Sequence, residues 1–167
     1  IGKILLAADE IGLTGLWFYG EKYFADNLPE EKCEGTTSAL EQAKKWLDIY
    51  FDGKEPKFTP PLHPIGSGVR CEVWDILLKI PYGKTITYGD IARELAEKKG
   101  IEKMSAQAVG GAVGHNEISI IIPCHRVVGT NGSLTGYAGG IDKKVSLLKL
   151  ENADMSRFFI PKKGTAL

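Results

Sequence analysis

Thr87–Gly114 reads TYGDIARELAEKKGIEKMSAQAVGGAVG, and this stretch decides the fold. Thr87 and Asp90 have the spacing of a capping box, in which a hydroxyl and a carboxylate satisfy the first free N–H groups of a helix. Ile91 and Leu95 then share one face, and Lys98-Lys99-Gly100 closes the helix. Ser105 can cap a second helix running to Gly114. Two helices with a short connection predict a helix-turn-helix. The second is unusual, because Gly110 and Gly111 inside it each cost about 1 kcal/mol against alanine. Its apolar face is Ala108, Val109, Ala112 and Val113; the rest offers Ala106, Gln107, Gly110, Gly111 and Gly114. A surface this small lets another helix or a nucleic-acid groove come close, and spacing alone leaves both open.

Upstream, Val69, Val73, Ile76, Leu77 and Ile80 follow a 3.6-residue period, and Pro81-Tyr82-Gly83 ends that helix. Downstream, Ile141, Val145 and Leu148 mark a last helix ending near Leu150-Glu151. The first part of the chain reads differently. Ile4–Ala8 and Leu13–Phe18 are apolar runs separated by Asp9-Glu10-Ile11-Gly12, the pattern of a β-hairpin. Leu40, Ala43, Leu47 and Tyr50 predict an amphipathic helix over Ser38–Phe51, with Ser38 near its cap. Asp52–Pro64 carries Gly53, Pro56, Pro60, Pro61 and Pro64 and reads as a linker. The expected organisation is an α/β domain with its linker over 1–61 and a mainly helical domain over 62–167.

Composition is that of a soluble globular protein, with 43% hydrophobic and 25% charged residues. No apolar stretch approaches the ~18 residues that span a bilayer, and no signal peptide is legible, so a cytoplasmic protein is expected. Net charge is zero, but the halves differ. Residues 1–61 hold 7 Lys+Arg against 11 Asp+Glu, and residues 62–167 hold 14 against 10. Any polyanion contact therefore belongs to the second half. Three cysteines without framework spacing fit free thiols in a reducing compartment. Cys33 and Cys71 are expected as small buried hydrophobes. Cys33, Cys71, His63 and His115 lack metal-ligand spacing, so no metal is expected.

Ile122-Pro-Cys-His-Arg-Val127 carries the chemistry. It sets a thiol beside an imidazole, behind a proline and at the end of the apolar run Ile118, Ile120, Ile121 and Ile122. A thiol is nucleophilic as thiolate, and neighbouring His125 and Arg126 are expected to favour the anion at Cys124. Adjacent side chains on a strand point to opposite faces, so Cys124 must lie on a turn or reach His125 through water. Glu151, at a helix C-terminus where a carboxylate is electrostatically unfavourable, is a candidate to orient His125. Asn116, within Gly114-His115-Asn116-Glu117, can tie a turn together through its side chain. Tyr88 can donate a hydrogen bond or stack. Gly136-Tyr137-Ala138-Gly139-Gly140 is a flexible loop able to turn N–H groups toward a ligand.

Taken together, Ile-Pro-Cys-His-Arg-Val, Ala-Val-Gly-Gly-Ala upstream and Gly-Tyr-Ala-Gly-Gly downstream resemble the 6-O-alkylguanine-DNA alkyltransferases, densely over residues 66–151. The resemblance implies a ribonuclease H-like first domain and a winged helix-turn-helix second domain. It implies single-turnover repair of double-stranded DNA, bound from the minor groove, with the damaged guanine flipped out of the stack. Cys124 would accept the alkyl group. His125, acting through water and oriented by Glu151, would take the thiol proton. Tyr88 would donate toward N3 of guanine, and Asn116 would brace the turn. Carbonyls of Cys124 and Val127 would accept from the exocyclic amine, the N–H of Ala138 would donate to the 6-oxygen, and Tyr137 would wall the pocket. Ala106, Gln107, Ala108, Gly110 and Arg126 would face DNA. No cofactor, membrane or obligate protein partner is implied, and a monomer is expected. Gln107 stands where family members commonly carry arginine. Glu117 stands where proline is common, which is expected to add negative charge and loosen the turn. A DNA-damage-binding module without transfer and a cysteine hydrolase are the competing readings of the same residues.

Overall fold

The computed structural model of the chain describes residues 1–162. Strands β1 (Ile4–Ala8) and β2 (Leu13–Phe18) pair antiparallel, with Ile4 opposite Phe18 and Leu6 opposite Leu16. Their turn is held by Asp9, whose Oδ1 accepts from the N–H groups of Ile11 and Gly12. Every residue of β2 is buried, because its outer edge is also covered. The Pro61–His63 segment, read from sequence as linker, runs along it: Leu13 N–H donates to Pro61 O and His63 N–H to Leu13 O, both at 2.8 Å. Farther along, Leu16 exchanges hydrogen bonds with Glu117 O and Ser119 N–H. One strand thus fastens both the proline-rich segment and the turn ahead of Cys124.

Helix α1 spans Ser38–Phe51 and buries Ala43, Trp46, Leu47 and Tyr50. Its cap is Thr37, one residue before the position expected, whose hydroxyl accepts from Leu40 N–H. Helix α2 spans Gly68–Leu77 and ends three residues before Ile80; the following turn still buries Ile80. The capping box forms: Thr87 and Asp90 bond reciprocally, opening α3 (Tyr88–Lys99), and Gly100 terminates it in the left-handed region. Ser105 caps α4 (Ala106–Gly114). Short strands β3 (Ile86–Thr87) and β4 (Val127–Val128) pair in parallel, and α5 spans Ile141–Leu150.

A single hydrophobic cluster runs from Leu16, Phe18, Leu47 and Tyr50 through Val73, Trp74, Leu77, Ile91 and Leu95 to Ile118, Ile122, Cys124 and Leu147. Burying each such side chain stabilises by about 1.5–3 kcal/mol. The segments before and after residue 61 therefore share one core. Phe158 packs under Val128, Leu134 and Leu148, and Phe159 exchanges backbone hydrogen bonds with Gly132 and Leu134, so the visible tail folds back onto the molecule. Residues 163–167 lie outside the described part.

Candidate active site

Cys124, His125 and Arg126 form one 3-10 turn, which satisfies the requirement that the thiol leave a strand geometry. The approach to it is strained. Ile120, a β-branched residue, has φ 70°, in a region such residues avoid. Asn116 holds this conformation: its Oδ1 accepts from Ile118 N–H at 3.0 Å, and its Nδ2 donates to Ile122 O at 2.8 Å and to Cys124 Sγ at 3.1 Å. Glu117 tightens the turn rather than loosening it. Its buried carboxylate accepts from Trp17 Nε1 at 2.6 Å, and burial raises its pKa.

Behind the thiol lies a closed ionic network centred on Glu151, the residue that caps α5. Its Oε1 accepts from His125 Nε2 at 2.6 Å, Arg126 at 3.0 Å and the Tyr50 hydroxyl at 2.7 Å. Its Oε2 accepts from Arg126 Nε at 2.9 Å and Gly83 N–H at 3.0 Å. Burial alone would raise this carboxyl, but the bonds from His125 and Arg126 outweigh it and hold the pKa at about 2. The unfavourable carboxylate at a helix C-terminus is thereby explained. Burial lowers the pKa of His125, against the opposing pull of Glu151, which favours the neutral imidazole. Since Nε2 donates to Glu151, Nδ1 is the basic nitrogen; it is buried and has no protein partner.

Three expectations fail here. Arg126, placed by resemblance among residues facing DNA, is buried; beyond Glu151 its guanidinium donates to Ile80 O at 2.6 Å, so it is turned inward onto the Glu151 network. Nor do the neighbours of Cys124 make it a resting thiolate. Burial pushes the thiol up to about 11, and the Asn116 hydrogen bond only partly offsets this. Cys33 is exposed and Cys71 half-buried, so neither is the buried hydrophobe expected.

Two buried polar residues were not found from sequence. Tyr50 sits at a helical-period position of α1 and reads as an apolar face residue; its hydroxyl reaches Glu151 from 101 residues away in the chain. Lys144 looks like a surface charge of α5, yet it is fully buried. It donates to Val127 O at 2.5 Å and Thr135 O at 2.7 Å, and burial lowers its pKa to about 8. Its charge favours the thiolate at Cys124. An i,i+3/i+4 pattern assigns a face, not a partner, so neither contact has a local signal.

In front of the thiol is a cleft of about 580 Å³ lined by Tyr88, Gln107, Gly110, Gly114, Tyr137 and Ala138, among others. Ala106 and Gln107 are exposed on it, and Ala108 is exposed too, contrary to its assignment to the apolar face; Val109, Ala112 and Val113 do face the core. A side-chain carbon added at Gly110, Gly111 or Gly114 would meet nothing within 4 Å. The glycines therefore serve no helix contact among the described residues, and they keep this groove open. The Tyr88 hydroxyl donates toward the carbonyls of Thr135 and Gly136, at 3.3 Å each, and burial raises its pKa, so it stays protonated. Gly136, at φ 67°, is required there, since a Cβ would lie 2.5 Å from that hydroxyl. Cys124 is 4% exposed and is not itself among the residues that line the cleft. Among the described residues no helix is long and apolar enough to cross a membrane.

The chain is similar to known proteins along almost its whole length. The ribonuclease-like domain of 6-O-methylguanine DNA methyltransferase matches residues 1–64, and the DNA binding domain of the same family matches residues 69–153. A methylated-DNA–protein-cysteine methyltransferase of Methanosarcina acetivorans is 43% identical over 153 residues, covering 92% of this chain and 94% of the relative. An inducible one from Bacillus subtilis is 43% identical, covering 96% and 84%. Among solved structures, a Mycobacterium tuberculosis OGT bound to DNA superposes with a TM-score of 0.73 at 37% identity, covering 95% of this chain and 92% of that one. With two family domains matched in order around a buried Cys-His-Glu arrangement, this chain belongs to the 6-O-methylguanine DNA methyltransferase family.

Proposed function

We propose that this protein repairs double-stranded DNA by moving the alkyl group of a 6-O-alkylguanine onto Cys124, once per molecule. The observation that carries the reading is a buried thiol 3.1 Å from the Asn116 amide, next in the chain to His125, whose Nε2 meets Glu151 and whose Nδ1 is buried without a protein partner. α4 enters the minor groove with Ala106, Gln107, Ala108 and Gly110 against DNA, and Gln107 occupies space left by the extruded base. The purine enters the glycine-floored cleft and displaces the Gly136–Gly140 loop, bringing its alkyl carbon to the sulfur.

His125 Nδ1 takes the thiol proton through a water, and Glu151 and Arg126 hold the imidazole in the required tautomer. Lys144 stabilises the thiolate as it forms. The Cys124 S–C bond forms in line as the C–O6 bond breaks, and the electron pair leaves with the guanine. Tyr88 donates its proton toward N3, so guanine does not depart as an anion. The carbonyls of Cys124 and Val127 each already accept one hydrogen bond, from Val127 N–H and Lys144, and offer their remaining lone pair to the exocyclic amine. Ala138 N–H receives the 6-oxygen, and Tyr137 walls the ring. The product thioether is not reversed by thiol exchange, so the protein acts once, as a monomer without cofactor.

The test is intact mass after incubation with a duplex containing 6-O-methylguanine. One methylene, about 14 Da, is gained per chain, maps to Cys124 and is absent from Cys124→Ser. Tight binding to the lesion without a mass change would instead indicate a damage-binding module, and repeated turnover on esters a hydrolase.

A further inference from the structure

The loop after β2 brings two residues of the acidic first segment into the cleft. Lys22 and Tyr23 line it together with Gly114, His115, Tyr137 and Ala138. The loop is built to hold them there. Tyr23 and Ala25 both adopt left-handed backbone, at φ 64° and 57°, which non-glycine residues avoid. Phe24 between them packs against Trp17 and Tyr19, and Asn27 donates to Thr14 O. Lys22 N–H donates to Ala138 O, joining this loop to the opposite lip. Strain that the surroundings hold in place at a ligand cleft points to use.

The Tyr23 ring stacks on His115, with centroids 4.2 Å apart and planes 25° from parallel. The Lys22 ammonium lies 5.0 Å from the same centroid. The stacked imidazole closes one face, so the ammonium covers the other. With both faces occupied, Tyr23 offers the cleft an edge, not a stacking platform. Its place along the cleft follows from α4. That helix is about 13.5 Å long, and Gln107 sits at its first turn. His115 lies at the far end, next to Asn116, whose amide touches the sulfur. Tyr23 therefore stands at the end of the cleft nearer the reacting carbon.

Resting on the alkyltransferase reading, we infer that Tyr23, braced by His115, is a steric rim that limits the size of the alkyl group reaching Cys124. The first segment thus sets substrate range, although α4 makes the DNA contacts.

The experiment compares single-turnover transfer, read by intact mass, from duplexes carrying 6-O-methylguanine and 6-O-benzylguanine. Tyr23→Ala raises the benzyl-to-methyl rate ratio roughly tenfold, the range expected when pocket space changes by a small group. Tyr23→Phe keeps the edge and keeps the wild-type ratio. His115→Ala, which removes the brace from the other side, moves the ratio in the same direction, and DNA affinity is unchanged in all three. An unchanged ratio in a folded Tyr23→Ala protein, or equal loss of both rates, overturns the inference. So does selective slowing of the benzyl substrate, which would make the ring a platform. Failure of the wild-type protein to take methyl from DNA would instead overturn the alkyltransferase reading itself.

Discussion

The two sides of Cys124 are built in opposite ways. Behind it, both Glu151 oxygens are filled by Arg126, His125, Tyr50 and Gly83, at 2.6–3.0 Å. In front, Glu21 Oε1, Ser119 Oγ and the Tyr137 hydroxyl are buried without partners, Tyr88 is held by 3.3 Å contacts, and Gly136 and Gly140 are left-handed. Glu21 is pushed up to about 7 by burial, and its charge opposes that of the thiolate. The rear is electrostatically preorganised and does not need to rearrange during reaction. The front holds buried polar atoms without partners and two glycines at positive φ. A protein that must admit a purine to a nearly inaccessible sulfur needs such a division.

Removing the keystone of the rear gives the largest effect. Glu151→Ala leaves Arg126 and His125 buried without their anion, costs about 3–5 kcal/mol of stability and abolishes transfer; denaturant unfolding and intact mass read both. A stable, active variant would break the contrast. Next comes the front: Tyr88→Phe slows single-turnover transfer by about 10²-fold, the low end for a proton donor, with DNA affinity nearly intact. Equal losses of rate and affinity would assign Tyr88 to packing. Tyr50→Phe removes one charge-assisted bond from Glu151 and lowers stability by about 1.5–3 kcal/mol, with a rate loss smaller than that of Tyr88→Phe. The smallest effect is at the DNA face. Gln107→Arg puts a cation in the space vacated by the base, tightens duplex binding and steepens the salt dependence of log K by about 0.9, the effect of one added charge among the phosphates. Unchanged or weaker affinity would remove α4 from the groove.

Legibility in the sequence divides along the same line. The elements announced themselves through local signals: the Thr87/Asp90 box, the glycine stop at Gly100, and the periods of α1, α3 and α5. The Cys124–His125 pair and Glu151 were legible from motif and position. What stayed hidden was set by distant contact. Tyr50 and Lys144 occupy pattern positions that look apolar-facing and solvent-facing, and only tertiary packing turns them toward Glu151 and Val127. Glu117 read as a loosening charge because Trp17, its partner, lies 100 residues earlier. Arg126 read as a surface cation because Ile80 and Glu151 meet it only in the fold. The state of Cys124 was misread for a related reason. Its neighbours in sequence favour the anion, but complete burial decides the resting state.

That last point is the centre of the account: the sulfur rests as a neutral thiol beside a neutral imidazole and ionises only when the lesion docks. Thiolate absorbance in a Cys33→Ser, Cys71→Ser double variant, titrated without DNA, measures it directly. The account predicts no thiolate near neutrality and a midpoint near 11. A free protein already ionised at Cys124 at about pH 7, as in preactivated cysteine enzymes, would contradict it.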